Sequence, residues 1–239
     1  MKVLVLNGSP KAERSNTLNI TKAFLSGFPE DTEVETVNLY KQNIRPCVGC
    51  FSCWSRTQGQ CVIKDDMQEI YPKIKAADII IESFPLYFFG MPSQLKAMTD
   101  RCLPFMLPYM GNLVEDKNAS FHELRDESMH EKRLVVITTC GYVDEKPMYP
   151  ALLKEYDLIC GDGNYTAVLC PEGELFIAEK AKRQREGYLA DIKKAGTEFA
   201  QNLCLSEETK KRIAKPILSP KGFETITLAH WKMATGEEN

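Results

Sequence analysis

Four of the chain's nine cysteines fall within fifteen positions: Cys47, Cys50 and Cys53, each separated by two residues, then Cys61 after a gap of seven. Three thiolates so spaced, with a fourth nearby, suit compact [4Fe-4S] ligation, whereas structural zinc more often uses two separated Cys-x-x-Cys pairs. Packing as small hydrophobes is the third reading, and the spacing leaves all three open. Cys102, Cys140, Cys160, Cys170 and Cys204 are scattered and read as buried packing residues. His122, His130 and His230 stand at no ligand spacing to them, and no Ser/His/Asp or Cys/His arrangement marks a nucleophile, so no side chain is assigned as catalytic.

The second chemical segment is Gly8-Ser9-Pro10-Lys11-Ala12-Glu13-Arg14-Ser15-Asn16-Thr17. A loop opening a helix presents backbone N–H groups and the positive helix end to an anion. The hydroxyls of Ser9, Ser15 and Thr17, the Asn16 amide and the cation of Lys11 or Arg14 complete such a site. The spacing matches neither Gly-x-Gly-x-x-Gly nor a P-loop, which favours a mononucleotide phosphate over a dinucleotide. A capped helix behind a polar loop is the plainer alternative.

Both segments need a scaffold, and the apolar pattern supplies one. Val3 to Leu6, stopped by Asn7-Gly8, suits a strand buried on both faces. With Ser15 or Asn16 as N-cap, Leu18, Leu25 and Phe28 take helical spacing until Gly27 and Pro29. Residues 34–40 predict a second strand. After the cysteine loop, Asp66 and Glu69 supply capping-box chemistry for a helix to about Ala77. Ile79-Ile80-Ile81 predicts a central strand running into Pro85, and Pro92 fits N1 of a helix with Leu95, Met98, Thr99 and Cys102 inward. Residues 104–131 lack periodicity and read as a surface insertion. Residues 134–137 and 165–169 predict two further strands. Between those strands Pro147 opens a helix through Leu152, Tyr156 and Ile159, and a last long helix carries Tyr188, Ile192, Ala195, Phe199 and Leu203 on one stripe.

Five strands alternating with helices predict an α/β three-layer sandwich, a parallel sheet with helices on both faces and ligands at the strands' carboxyl ends. One domain is expected over 1–205. Residues 206–239 are expected to form an extension packing on it or on a partner subunit, with Glu207-Glu208 opening a short basic helix that Pro216 and Pro220 break.

Composition excludes several classes. A hydrophobic fraction of 44% and a charged fraction of 26% are those of a globular chain. Net charge −3 and pI near 5.8 give no basic footprint for nucleic acid or an anionic membrane. The apolar run after Lys2 is too short for a signal-peptide core, and no segment reaches the length of a bilayer span. A cytoplasmic location with reduced thiols is expected.

Residues 6–10 with Ser15-Asn16-Thr17 resemble the first loop of the NADPH-dependent FMN reductase and flavodoxin-like NAD(P)H:quinone oxidoreductase families. Residues 83–92, followed by Leu95-Lys96 and Asp100-Arg101, resemble their second flavin loop, and Thr138-Thr139-Cys140-Gly141 their third. The cysteine loop resembles that of the iron–sulfur flavoprotein family. The resemblance implies a flavodoxin-like sheet of order 2-1-3-4-5 and an FMN cofactor. Ser9, Lys11, Ser15, Asn16 and Thr17 would lie at its phosphate, Pro85, Leu86, Tyr87 and Phe88 along the ring edge, and Thr139, Cys140, Gly141 and Tyr142 on the far side. It implies hydride transfer from NAD(P)H through FMN to a quinone, a nitro or azo aromatic, or a flavin. The alternatives are an iron–sulfur electron carrier with the cluster on Cys47, Cys50, Cys53 and Cys61, or a non-catalytic redox sensor. The aromatic loop Tyr87–Phe89, the insertion and the tail with Phe223 and Trp231 predict a homodimer or larger oligomer.

Overall fold

The computed structural model of the chain describes residues 1–108, 122–144 and 146–236. Strands β1 (Lys2–Asn7), β2 (Glu33–Asn38), β3 (Ile79–Pro85), β4 (Arg133–Thr139) and β5 (Tyr165–Cys170) form one sheet in the order β2-β1-β3-β4-β5. Every neighbouring pair is parallel, as the alternation of patterns requires. The register sets Asn7 opposite Asn38 and Ser83, and Thr139 opposite Pro85 and Cys170, so the carboxyl ends finish side by side.

Seven helices follow in chain order among the described residues: α1 (Asn16–Leu25), α2 (Met67–Ala76), α3 (Ser93–Asp100), α4 (Pro150–Cys160), α5 (Lys182–Asn202), α6 (Glu207–Ile213) and α7 (Pro220–Thr235). Side chains alternate across a strand, so each strand feeds two cores. Val3, Val5, Ile79, Ile81, Val135 and Ile137 bury against Phe24 of α1 and Ile192 and Phe199 of α5. Leu4, Leu6, Phe84 and Val136 face the other way, against Ile70 of α2, Leu95 of α3 and Leu152 of α4. The Phe24 ring lies 5.6 Å from Phe28 and 5.7 Å from Phe199, joining α1 to α5. Gly196 permits that contact, since a Cβ there would stand 1.8 Å from the Phe24 carbonyl oxygen.

Several local expectations shift. Phe24, not Leu25, is the buried residue of the third turn of α1, because Leu25 points only partly inward. Asp66 makes no side-chain cap at α2. Asp65 accepts from the Met67 N–H at 3.2 Å instead, while Asp66 is drawn back to the Asn43 N–H at 2.7 Å. Pro150 rather than Pro147 opens α4. Pro92 sits one residue ahead of α3 as its N-cap, and Thr99 and Cys102 are half-buried. Of the expected insertion, residues 109–121 lie outside the described residues, and its flanks meet in a bridge between Met106 and Leu124. Cys204 is exposed rather than packed.

Beyond Leu203, α6 lays Ile213 into the α5-side core. Pro220 starts α7 instead of breaking a helix, with Ser219 as its cap. Phe223 anchors the first turn of α7 against Leu175 and Ala181, while Leu228, Trp231 and Met233 stay exposed. Glu172, in a left-handed conformation at φ 54°, is fully buried, and its carboxylate accepts from the N–H groups of Ile217 and of Leu218 (3.0 Å). Among the described residues no helix is long and apolar enough to cross a membrane.

Candidate functional site

Three loops leave the carboxyl ends of β1, β3 and β4, and they are bonded to one another. The Gly8 N–H donates to the Ser83 carbonyl at 2.9 Å, and the Leu86 N–H to the Thr139 carbonyl at 2.8 Å. Thr17 and Thr139 join their hydroxyls at 2.7 Å, and the Thr21 hydroxyl donates to the Ser83 Oγ at 2.8 Å. All four of these side chains are buried. Sheet register thus fixes the spacing of loops far apart in sequence.

In the first loop, Ser9, Ser15 and Thr17 are buried, Asn16 is half-buried and Lys11 is exposed. The hydroxyls already have partners. Ser15 Oγ accepts from the Leu18 N–H at 3.2 Å as the α1 N-cap, and Ser9 Oγ accepts from the Lys11 N–H at 3.3 Å. The Asn16 amide donates to the Gly173 carbonyl at 2.9 Å. What the helix leaves over are its first N–H groups, those of Asn16 and Thr17, which have no intrahelical acceptor. Ala12, in a short 3₁₀ turn, holds φ at 46°, and non-glycine strain of this kind gathers at functional sites.

The second loop turns tightly, Tyr87 bridging Gly90, with Phe88 at φ 48° and Phe89 at φ 66°. Pro85 and Leu86 are half-buried at its base, and the Phe88 ring is wholly in solvent. In the third loop Thr139 and Cys140 are buried while Gly141 and Tyr142 are exposed. A fourth wall escaped the sequence argument. The turn after β5 joins the others through Gly173, whose N–H donates to the Cys140 carbonyl at 2.8 Å, and Glu172, whose N–H donates to the Tyr142 carbonyl at 3.0 Å. The strand-end rule that selected the other three loops points equally to Cys170-Pro171-Glu172-Gly173.

The cysteine loop lies between β2 and α2. Cys47, Cys50, Cys53 and Cys61 all line one small apolar pocket with Phe51, Leu103 and Arg101. Its enclosed space is about 20 Å³, room for about one water molecule. Burial, then the neighbouring Cys61, Cys47 and Cys50, push the Cys53 thiol above its ordinary value, whereas the Ser52 N–H holds Cys50 below its own. Among the described residues no group of three or more His, Cys, Asp or Glu side chains is arranged to hold a metal ion. Gly49 at φ 64° and Phe51 at φ 50° shape the turn between the thiols, and Trp54 stacks on Phe51 at 5.3 Å with its Nε1 donating to the Leu103 carbonyl at 3.0 Å.

Behind the pocket Arg101 is 1% exposed and pairs with the buried Asp65 through two bonds, of 2.8 and 3.0 Å. Burial works against the Asp65 charge, yet the guanidinium beside it and the Arg45 N–H hold its carboxyl below the usual range. Arg101 also donates to the carbonyls of Arg45 and Ile63, at the two ends of the loop.

A far larger groove, about 1230 Å³, opens elsewhere, along the flank of the sheet past Met98, Leu134 and Leu153 and around the β5 edge. Buried Glu82 reaches it, its carboxylate accepting from the Tyr156 hydroxyl. Burial drives the Glu82 carboxyl up to about 7. The groove runs along β5 from Tyr165 to Leu169 and is lined, among the described residues, by none from the loops after β1, β3 and β4, so topology assigns the ligand end to the loops and not to this larger space.

The model of the flavodoxin-like fold family matches residues 1–157. An iron–sulfur flavoprotein of Methanocaldococcus jannaschii is 38% identical over 109 residues, 46% of this chain and 55% of that protein. The chain spans about half the length of this and other curated iron–sulfur flavoproteins that it matches. Among solved structures, an FMN-dependent NADH-azoreductase from Bacillus anthracis in complex with FMN aligns with a TM-score of 0.56 at 18% identity, covering 84% of this chain and 100% of that one. An NAD(P)H:quinone oxidoreductase from Methanothermobacter marburgensis aligns with a TM-score of 0.58 at 19% identity, covering 83% and 96%. At such identities the likeness is one of fold. The matched segment carries β1 to β4 and all three bonded loops, and the chain belongs to the flavodoxin-like fold family.

Proposed function

We propose that this chain is an FMN-dependent NAD(P)H oxidoreductase that reduces a small ring compound, a quinone, a nitro or azo aromatic, or a free flavin. The observation that carries the proposal is the convergence of the β1, β3 and β4 loops, mutually bonded, around exposed aromatic rings at the carboxyl end of the sheet. The residues fit the cofactor. The unpaired N–H groups of Asn16 and Thr17 at the start of α1, with Lys11 outside them, would hold a phosphate. Ser9, Ser15 and Thr17 would line it with hydroxyls that still have a lone pair or proton to offer. Pro85, Leu86, Tyr87 and Phe88 would border the ring, and Thr139, Cys140, Gly141 and Tyr142 its far side.

Bound FMN supplies the hydride and electron chemistry. The chain's share is orientation and water exclusion: the Thr17–Thr139 bond fixes the phosphate end against the ring end, and Tyr87 and Phe88 offer apolar surface to a planar acceptor. The solved azoreductase and quinone oxidoreductase with this fold support that assignment. Replacing Ser15, Asn16 and Thr17 together with alanine should release the flavin while leaving the fold, read as FMN per chain by absorbance. Stoichiometric FMN at unchanged affinity would refute the phosphate assignment.

A second reading rests on the four cysteines that share one pocket: a [4Fe-4S] cluster on Cys47, Cys50, Cys53 and Cys61, exchanging single electrons. Four thiols are the donors such a cluster takes, but among the described residues they are not arranged to hold a metal ion, and their pocket has room for about one water molecule. The relatives named iron–sulfur flavoproteins favour it. Iron and acid-labile sulfide per chain, in protein purified without oxygen, decide the point, and near-zero iron after reconstitution leaves the FMN proposal standing alone. Among the described residues no cysteine is in a disulfide, which supports a reducing cytoplasm. Exposed Phe88, Trp231 and Met233 support a homodimer, to be checked by light scattering at micromolar concentration.

A further inference from the structure

Glu172 stands in the turn after β5, fully buried and held at φ 54°, a left-handed conformation that strains any residue with a Cβ. Its two ends face different parts of the molecule. Its N–H donates to the Tyr142 carbonyl at 3.0 Å, and the next residue, Gly173, donates to the Cys140 carbonyl at 2.8 Å. The turn lies tight against that loop, since a Cβ on Gly173 would stand 2.9 Å from the Thr139 Cβ. At the other end, Glu172 Oε2 accepts from the N–H groups of Ile217 and Leu218, while Oε1 is buried with no partner. A buried carboxylate is costly unless donors offset it, and among the described residues these two N–H groups are all it has. They belong to an arm, residues 215–235, that ends in α7. Ile217, Leu218 and Phe223 of the arm share one apolar cluster with Val143, the residue after Tyr142.

We propose that Glu172 is a positioning residue of the flavin site, fastening the arm to the loop on the far side of the ring so that the docked arm supports cofactor binding. The proposal rests on the FMN reading above and adds a support outside the three loops. While the arm is docked, its two N–H groups keep the carboxylate in the interior and the strained turn in place. Once the arm leaves, the carboxylate gains by turning to water, and the turn loses the tie that offsets its strain. The Tyr142 and Cys140 carbonyls then lose their donors. Thr139, Cys140, Gly141 and Tyr142 are the residues that would meet the ring, so their spacing follows the arm. Glu172 itself touches neither cofactor nor substrate in this assignment. The effect runs both ways: the factor by which the docked arm raises FMN affinity is the factor by which bound FMN favours docking.

The test uses the full chain, freed of flavin and titrated with FMN by fluorescence. Hydrogen exchange over residues 215–235 is measured with and without FMN, and the visible circular dichroism of the bound flavin is recorded. In the wild type FMN should slow that exchange severalfold. Glu172→Ala should weaken FMN about tenfold, alter the dichroism of the flavin that still binds and abolish the protection of the arm. Glu172→Gln, whose amide oxygen can still accept both N–H groups, should stay within about threefold of the wild type. Phe223→Ala, which loosens the arm at a residue outside all the flavin loops, should weaken FMN in the same direction by less. A Glu172→Ala protein with a freely exchanging arm but wild-type FMN affinity and dichroism overturns the proposal and leaves the FMN reading intact. So does a wild-type arm whose exchange is the same with and without bound FMN. A wild type that binds no FMN overturns both. Should Glu172→Ala fail to fold, Phe223→Ala decides, and faster exchange over residues 215–235 at unchanged FMN affinity overturns the proposal.

Discussion

The loops at the sheet's carboxyl end and the cysteine loop reach their shapes by different means. Around Gly8, Leu86 and Thr139 the backbone is held by neighbours that strand register has already brought into line, and the bonds are many and short-range in space. The cysteine loop, from Arg45 to Asp65, hangs outside the sheet and is drawn in at both ends by the buried Arg101, with Trp54 bonded to the Leu103 carbonyl as a further tie. A site built on register is distributed and tolerates the loss of one bond. A site built on a few long-range ties depends heavily on each.

Arg101→Leu should break this contrast most sharply. It leaves Asp65 buried without its partner, a change of about 3–5 kcal/mol, and should open residues 45–65 to protease while flavin binding survives. Chemical denaturation with limited proteolysis checks it. Next comes Gly196→Ala, which strikes the other region from behind. A Cβ 1.8 Å from the Phe24 carbonyl forces α1 off α5, at about 3 kcal/mol, and carries the phosphate loop with it. Here FMN affinity should fall while the cysteine loop keeps its protection, as hydrogen exchange would show.

Glu82 lies in β3 one residue before Ser83, and its pH response tests the scaffold itself. Its carboxyl titrates near 7 when folded and near 4.5 when unfolded, so between those values the folded state binds more protons. The favourable contribution is complete below about pH 4.5 and is lost as pH rises through 7, in all about 3 kcal/mol. Glu82→Gln should flatten that slope in denaturation curves at pH 5 and pH 8. Thr17→Val makes the smallest change. Losing the bond to Thr139 should destabilise by about 1 kcal/mol and weaken FMN binding severalfold without releasing it, measured by flavin fluorescence titration.

The sheet was legible because buried parallel strands write themselves as unbroken apolar runs, and Ile79-Ile80-Ile81 does stand at its centre. The α1 cap was legible too, since Ser15 needs only the N–H three residues on. Longer-range choices were not. Asp65 and Asp66 are both competent caps, and what assigns Asp65 is Arg101, thirty-six residues away and silent in any local pattern. Pro220 reads equally as a breaker or a helix opener until Ser219 is seen to cap. The hydroxyls of the first loop were marked as phosphate ligands from their residue types, but their burial and their bonds to Thr139 and within the loop depend on register that no window of sequence contains. Gly173 was passed over because a glycine turn after a short strand carries no chemistry of its own until Asn16 reaches it.

The chain's two tryptophans fall one to each kind of surroundings. Trp54, half-buried and stacked beside the cysteine pocket, should emit at shorter wavelength and be quenched by an absorbing group at the four thiols, whereas Trp231, 53% exposed on α7, is already in water. A single emission spectrum can therefore be split into a band that follows the cysteine loop and a band that follows the tail. The molecule carries its own pair of optical probes, with no label to attach.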